Sequence, residues 1–200
     1  ASAVRKSGLG ERLSYLLIRR FVRGWYSMIL AIFALSLVLS LLIPHPWPRS
    51  LLLMSVISVV IRDAELPQRE AAVAVFTVYA SAVPLSLVFL TADSINMLAA
   101  SYTGETVSFI RWFLVMGPPA LLLAGLTLLL ILVLFPPEAP VRLDLERVEA
   151  ARSALGKVTG QEWRTLVWIV LAVALWMTNG ITGLDIGWIT MLVAMMMSMP

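Results

Sequence analysis

Stretches free of charged side chains divide the chain into blocks of unequal length. They run from Trp25 to Ile43, Ser50 to Ile61, Ala71 to Ala92, Trp112 to Pro137 and Thr165 to Leu184, with a further one from Ile186 onward. At about 1.5 Å per residue, the blocks of 19, 22, 26 and 20 residues can each cross a ~30 Å hydrocarbon core as a helix. The 12 residues from Ser50 to Ile61 rise only about 18 Å and cannot. The pattern predicts an all-α membrane protein.

Charge placement orients these blocks. Before Trp25 stand Arg5, Lys6, Arg12, Arg19, Arg20 and Arg23 against the single acid Glu11, which puts this end on the cytoplasmic side. In LGERLSYLLIRRFVRG, Leu9, Leu13, Leu16, Leu17 and Phe21 fall near one helical face, so residues 1–23 read as an interfacial amphipathic helix. If Trp25 to Ile43 crossed fully, the short run after it could not bring the chain back. A re-entrant hairpin over 24–61, with its tip at 44–48 in LLIPHPWPRSLLLM, resolves the conflict and leaves RDAELPQRE on the cytoplasmic side. Pro48 suits the first position of the returning helix, which would aim its positive end at the tip, a natural place for an anion.

The run from Ala71 meets Asp93, Ser94 and Asn96 before it has clearly left the membrane, and Pro84 weakens the helix ahead of them. Residues 62–111 are therefore expected to form a broken transmembrane helix and an outer loop. Spanning helices over 112–137 and 165–184 follow, separated by a cytoplasmic connector at 138–164. Residues 185–200 begin a further helix. That run stops after fifteen uncharged residues, and the N-terminus has neither an initiator Met nor the apolar core of a signal peptide, so we expect a piece of a longer protein.

Composition agrees with the pattern. With 60% hydrophobic and 14% charged residues and a mean hydropathy of +0.91, the chain exceeds what the core of a soluble 200-residue domain needs. The net charge of +3 sits beside apolar segments, as orientation signals do, which argues against nucleic acid as a partner. The absence of cysteine and the single histidine exclude disulfides, thiolate metal sites and His clusters, and no cofactor is expected beyond a coupling ion. An intramembrane enzyme built on His45 and Asp93 is disfavoured because no nucleophile accompanies them.

The candidate chemistry lies at the two interruptions. His45 lies in the hairpin tip and Arg49 follows it, where Arg49 can bind an anion or brace the hairpin. Asp93 is an ionisable group within a membrane segment, a position that favours ion, proton or substrate coupling. Thr91, Ser94 and Asn96 supply oxygens suited to sodium where a broken helix frees carbonyls. MGPPA reads as a proline kink in a spanning helix, and FPPEAP as its end.

The order SGLGERL, IPHPWPRSLLLM, TADSINMLAA, VSFIRWFLVMGPPALLLAGLTLLLILVLFPPE and TGQEWRTLVWIVLAVALWMTNGITGLDIGWITMLVAMM resembles the divalent anion:sodium symporter family, which carries dicarboxylates, citrate or sulfate. The resemblance implies a secondary transporter of small anions in the plasma membrane, coupled to sodium or protons and assembled as a homodimer. It also implies that this chain is incomplete, covering the first-repeat hairpin onward without the second repeat. The family's hairpin tip bears Ser-Asn-Thr, which helps to hold sodium and a substrate carboxylate. Here His45, Pro46 and Trp47 stand in its place, Arg49 matches the following arginine, and Thr91, Ser94 and Asn96 match the second break loosely. A transport-incompetent membrane scaffold is the alternative expectation.

Overall fold

The computed structural model describes residues 12, 15–16, 22, 24–43, 45–63, 65–104, 106–138, 150 and 153–198. Among them there is no strand. The helices are α1 (Trp25–Leu42), α2 (Pro46–Asp63), α3 (Gln68–Ser86), α4 (Ser94–Ser101), α5 (Phe109–Leu134), α6 (Gly160–Thr182) and α7 (Ile186–Ser198), with a 3-10 turn at Leu90–Ala92 between α3 and α4. Most of the expected interfacial helix and most of the expected connector lie outside the described residues, as does position 44 of the hairpin tip.

Local chemistry places the helix ends outside the apolar runs. Ser108 accepts a hydrogen bond from the Arg111 N–H at 3.1 Å and starts α5 three residues before the run at Trp112. At α6, the Thr159 hydroxyl accepts from the Glu162 N–H at 3.1 Å while the Glu162 carboxylate accepts from the Thr159 N–H at 2.6 Å, a reciprocal cap that begins the helix at Gly160. Gly183, at φ +68°, closes α6 in the left-handed conformation that a side chain would resist. α5 continues through Pro118 and Pro119 to Leu134, and Phe135 ends it just before the Pro136 and Pro137 pair.

Two elements differ from their apolar runs. The returning arm α2 starts at Pro46, so Pro48 is its third residue, and its 18 residues rise about 27 Å. It is longer than its charge-free core because prolines are tolerated in a first turn, where N–H groups have no intrahelical acceptor. The run Ala71 to Ala92 divides earlier than Asp93: α3 ends at Ser86, two residues after Pro84, whose missing N–H and ring break the hydrogen-bond ladder. Residues 87–93 are not α-helical.

Three helices, α1, α5 and α6, are long and apolar enough to cross a membrane. α1 packs against α2 and α3, α3 against α5, α5 against α6, and α6 against α7. One apolar core, including Met28, Ile32, Leu35, Leu39, Leu53, Ile57 and Val78, fills the space among α1, α2 and α3 and reaches Ala120 and Ile131 of α5. A second joins Leu90 and Ala100 to Phe109, Trp176, Ile186 and Ile189. More than half of the α1 window is buried, against less than a quarter in α5 and α6, whose exposed leucines and valines suit lipid contact.

Polar contacts tie the helix ends on the charged side. Arg12 donates to Glu162 through Nε at 2.8 Å and Nη2 at 3.3 Å, and to the carbonyls of Leu155 and Gly156. Arg69 reaches Glu138 at 3.3 Å, and the Glu138 N–H donates to Glu70 at 3.1 Å, joining the start of α3 to the end of α5. The first acid and base are held at buried Glu162, and the second pair is open to water.

Candidate functional site

The hairpin tip and the broken helix meet through Arg49. This side chain has no solvent exposure and is the largest fully buried one among the described residues. Its Nη2 donates to the Ala82 carbonyl of α3 at 2.8 Å, while Nε and Nη1 make no hydrogen bond. Asp93 lies within electrostatic range of the guanidinium but forms no ion pair with it. A buried charge with one hydrogen bond and a distant counter-charge is held at a cost of several kcal/mol, which further partners would offset.

The first turn of α2 has few spare backbone donors. Pro46 and Pro48 have no N–H, and the Trp47 N–H donates to His45 Nδ1 at 3.3 Å. His45 is thereby the cap of α2, half-buried, and Trp47 is exposed beside it. At this helix N-terminus, the donor available to an anion is the Arg49 side chain.

The break offers its carbonyls to side chains. Asn96 donates from Nδ2 to the Ser86 carbonyl at 2.7 Å and the Phe89 carbonyl at 3.0 Å, and Trp112 donates from Nε1 to the Leu87 carbonyl at 3.0 Å. Asp93 caps α4 by accepting from the Ile95 N–H at 3.2 Å, with the Ser94 hydroxyl at 3.4 Å. Ser94 is exposed, whereas Thr91 is buried and its hydroxyl makes no hydrogen bond. Stacked rings fix the segment to its neighbours: Phe89 lies 6.0 Å from Phe109 and 5.8 Å from Phe113, and Phe109 lies 6.1 Å from Trp176.

Arg49 and Asp93 are thus brought to one locality, with Thr91 and Asn96 in the same break. His45 and Ser94 serve local caps. Sequence reasoning missed Trp112 and Phe89, which hold the break; an indole N–H in an otherwise apolar run was the available signal, since a buried one seeks an acceptor. A separate cavity of about 880 Å³ lies beyond the break, lined by Leu90, Met97, Ser108, Arg111, Asn179 and Asp185 among others. Neither Arg49 nor Asp93 lines it.

An all-α membrane protein whose helical hairpin is pinned by a buried arginine to a broken helix has the parts of a secondary transporter's half-site. The family described as the sodium:sulfate symporter transmembrane region matches residues 1–200, and the chain belongs to that family. This is the family that the sequence resembles. No curated protein matches the chain.

Proposed function

We propose that the chain forms part of a secondary active transporter that moves sulfate or small di- and tricarboxylates across the cell membrane on a sodium or proton gradient, with its N-terminal segment in the cytoplasm. The observation that carries this reading is Arg49: a fully buried guanidinium with two uncommitted donors, at the contact between hairpin and broken helix. Family membership supplies the class of activity. In this reading the α1–α2 hairpin is re-entrant and its tip meets the break near the midplane. His45 sets the first turn of α2, Asp93 couples the ion, and Thr91, Ser94 and Asn96 contribute cation ligands only when the Asn96 amide releases the Ser86 and Phe89 carbonyls.

The scaffold reading draws support from the same geometry, because the Ser86, Leu87 and Phe89 carbonyls already have N–H partners. Radiolabelled sulfate and succinate uptake into proteoliposomes, driven by sodium or proton gradients and using the natural full-length chain, decides between them. Uptake above protein-free vesicles is the expected result. Its absence with both substrates under both gradients would overturn the transporter reading.

A further inference from the structure

The cavity of about 880 Å³ lies where α5 begins and α6 ends. Both helices are long and apolar enough to cross a membrane, so the cavity stands at a membrane face, the level of lipid headgroups, rather than at the midplane. Tyr102, next to the lining Ser101, and Trp188, next to the lining Gly187, are exposed beside it, as aromatic residues are at that level. Away from this end, Ile110 and Leu114 of α5 and Met177 and Ile181 of α6 present exposed apolar side chains.

The walls of the cavity have opposite polarity. On the α5 side stand Arg111 and the positive end of the helix, capped by Ser108. On the α6 side stand the negative end of the helix, where Gly180 and Gly183 leave main chain at the surface, and the exposed carboxylate of Asp185, whose Oδ1 accepts from the Trp188 N–H at 3.1 Å. We propose that this cavity binds the headgroup of a phospholipid that is zwitterionic with a primary ammonium, a phosphatidylethanolamine. The phosphate meets Arg111 and the start of α5, the ammonium meets Asp185 and the end of α6, and the acyl chains follow the exposed side chains of both helices. A primary ammonium fits because the wall that receives the cation offers hydrogen-bond acceptors, whereas a quaternary one is recognised by aromatic faces, and neither Tyr102 nor Trp188 lines the cavity. The volume falls within the ~300–1,000 Å³ of small-molecule sites.

The test measures, by native mass spectrometry, the binding of phosphatidylethanolamine, phosphatidylcholine and phosphatidylglycerol with matched acyl chains to the purified full-length chain in detergent. Phosphatidylethanolamine should bind at least about tenfold tighter than either of the others. Asp185→Asn, which keeps a capping oxygen for α7 and removes the charge, should erase the preference over phosphatidylglycerol. Arg111→Gln should weaken all three lipids by about tenfold or more. The wild-type ranking stands even if a variant fails to fold. A margin under about tenfold, a preference that survives Asp185→Asn or binding unchanged by Arg111→Gln would overturn the inference. Displacement of phosphatidylethanolamine by millimolar inorganic phosphate would overturn it too, by making the cavity a site for a free oxyanion.

Discussion

Arg49 shows how differently a buried charge can act on stability and on function. Its single hydrogen bond goes to the Ala82 carbonyl within α3, and its remaining donors are unmatched, so the folded protein gains little from the charge. Arg49→Met should leave unfolding stability within about 1 kcal/mol of wild type, or raise it, while abolishing anion uptake. Urea or SDS titration and a proteoliposome assay on the same preparation check both halves. Asn96 is the converse, since its amide satisfies the Ser86 and Phe89 carbonyls at the break. Asn96→Ala should cost about 2 kcal/mol, and Asn96→Asp should cost more, because a carboxylate would face two carbonyl oxygens. Equal stability of the two variants would show that the amide is not a donor there.

At the scale of elements, the break is a stitched segment. Trp112 of α5 holds the Leu87 carbonyl, and the Phe113, Phe89, Phe109 and Trp176 rings form a continuous stack across α5 and α6. Trp112→Phe keeps the ring and removes the N–H, so it should lower stability by about 1–2 kcal/mol, measurable by thermal unfolding in detergent. The helices were largely legible as charge-free runs, but their ends were set by neighbours of those runs: Ser108, the Thr159 and Glu162 pair, and Gly183. The break was legible as a feature and displaced in position, because α3 ends at Ser86, two residues after Pro84 and well before the first charged residue, Asp93. Arg49 was visible as a candidate from its place after the tip. Its partner Ala82 was not, being 33 residues away and offering only a backbone carbonyl, which leaves no mark in a sequence.

For the whole molecule, the charged contacts gather where α2 turns into α3, where α5 ends and where α6 begins, through the Arg69–Glu138 and Arg12–Glu162 pairs. Basic residues in these turns favour the cytoplasmic side. Since the chain has no cysteine, single introduced thiols can report sidedness directly. A membrane-impermeant maleimide should label Tyr102→Cys in intact cells, and Gln68→Cys and Ser153→Cys only after permeabilisation; these three positions are exposed. Labelling of all three from outside would refute the orientation.

The bond from Trp112 to the Leu87 carbonyl also gives the protein an optical signal of its own. Indole emission responds to the field and hydration around its N–H, and this N–H is fastened to the segment that must loosen if the Ser86 and Phe89 carbonyls are ever to face a cargo or an ion. With the other six tryptophans replaced by phenylalanine, the fluorescence of Trp112 should redden and weaken as the break opens, so its spectrum would time the step that uptake assays only average.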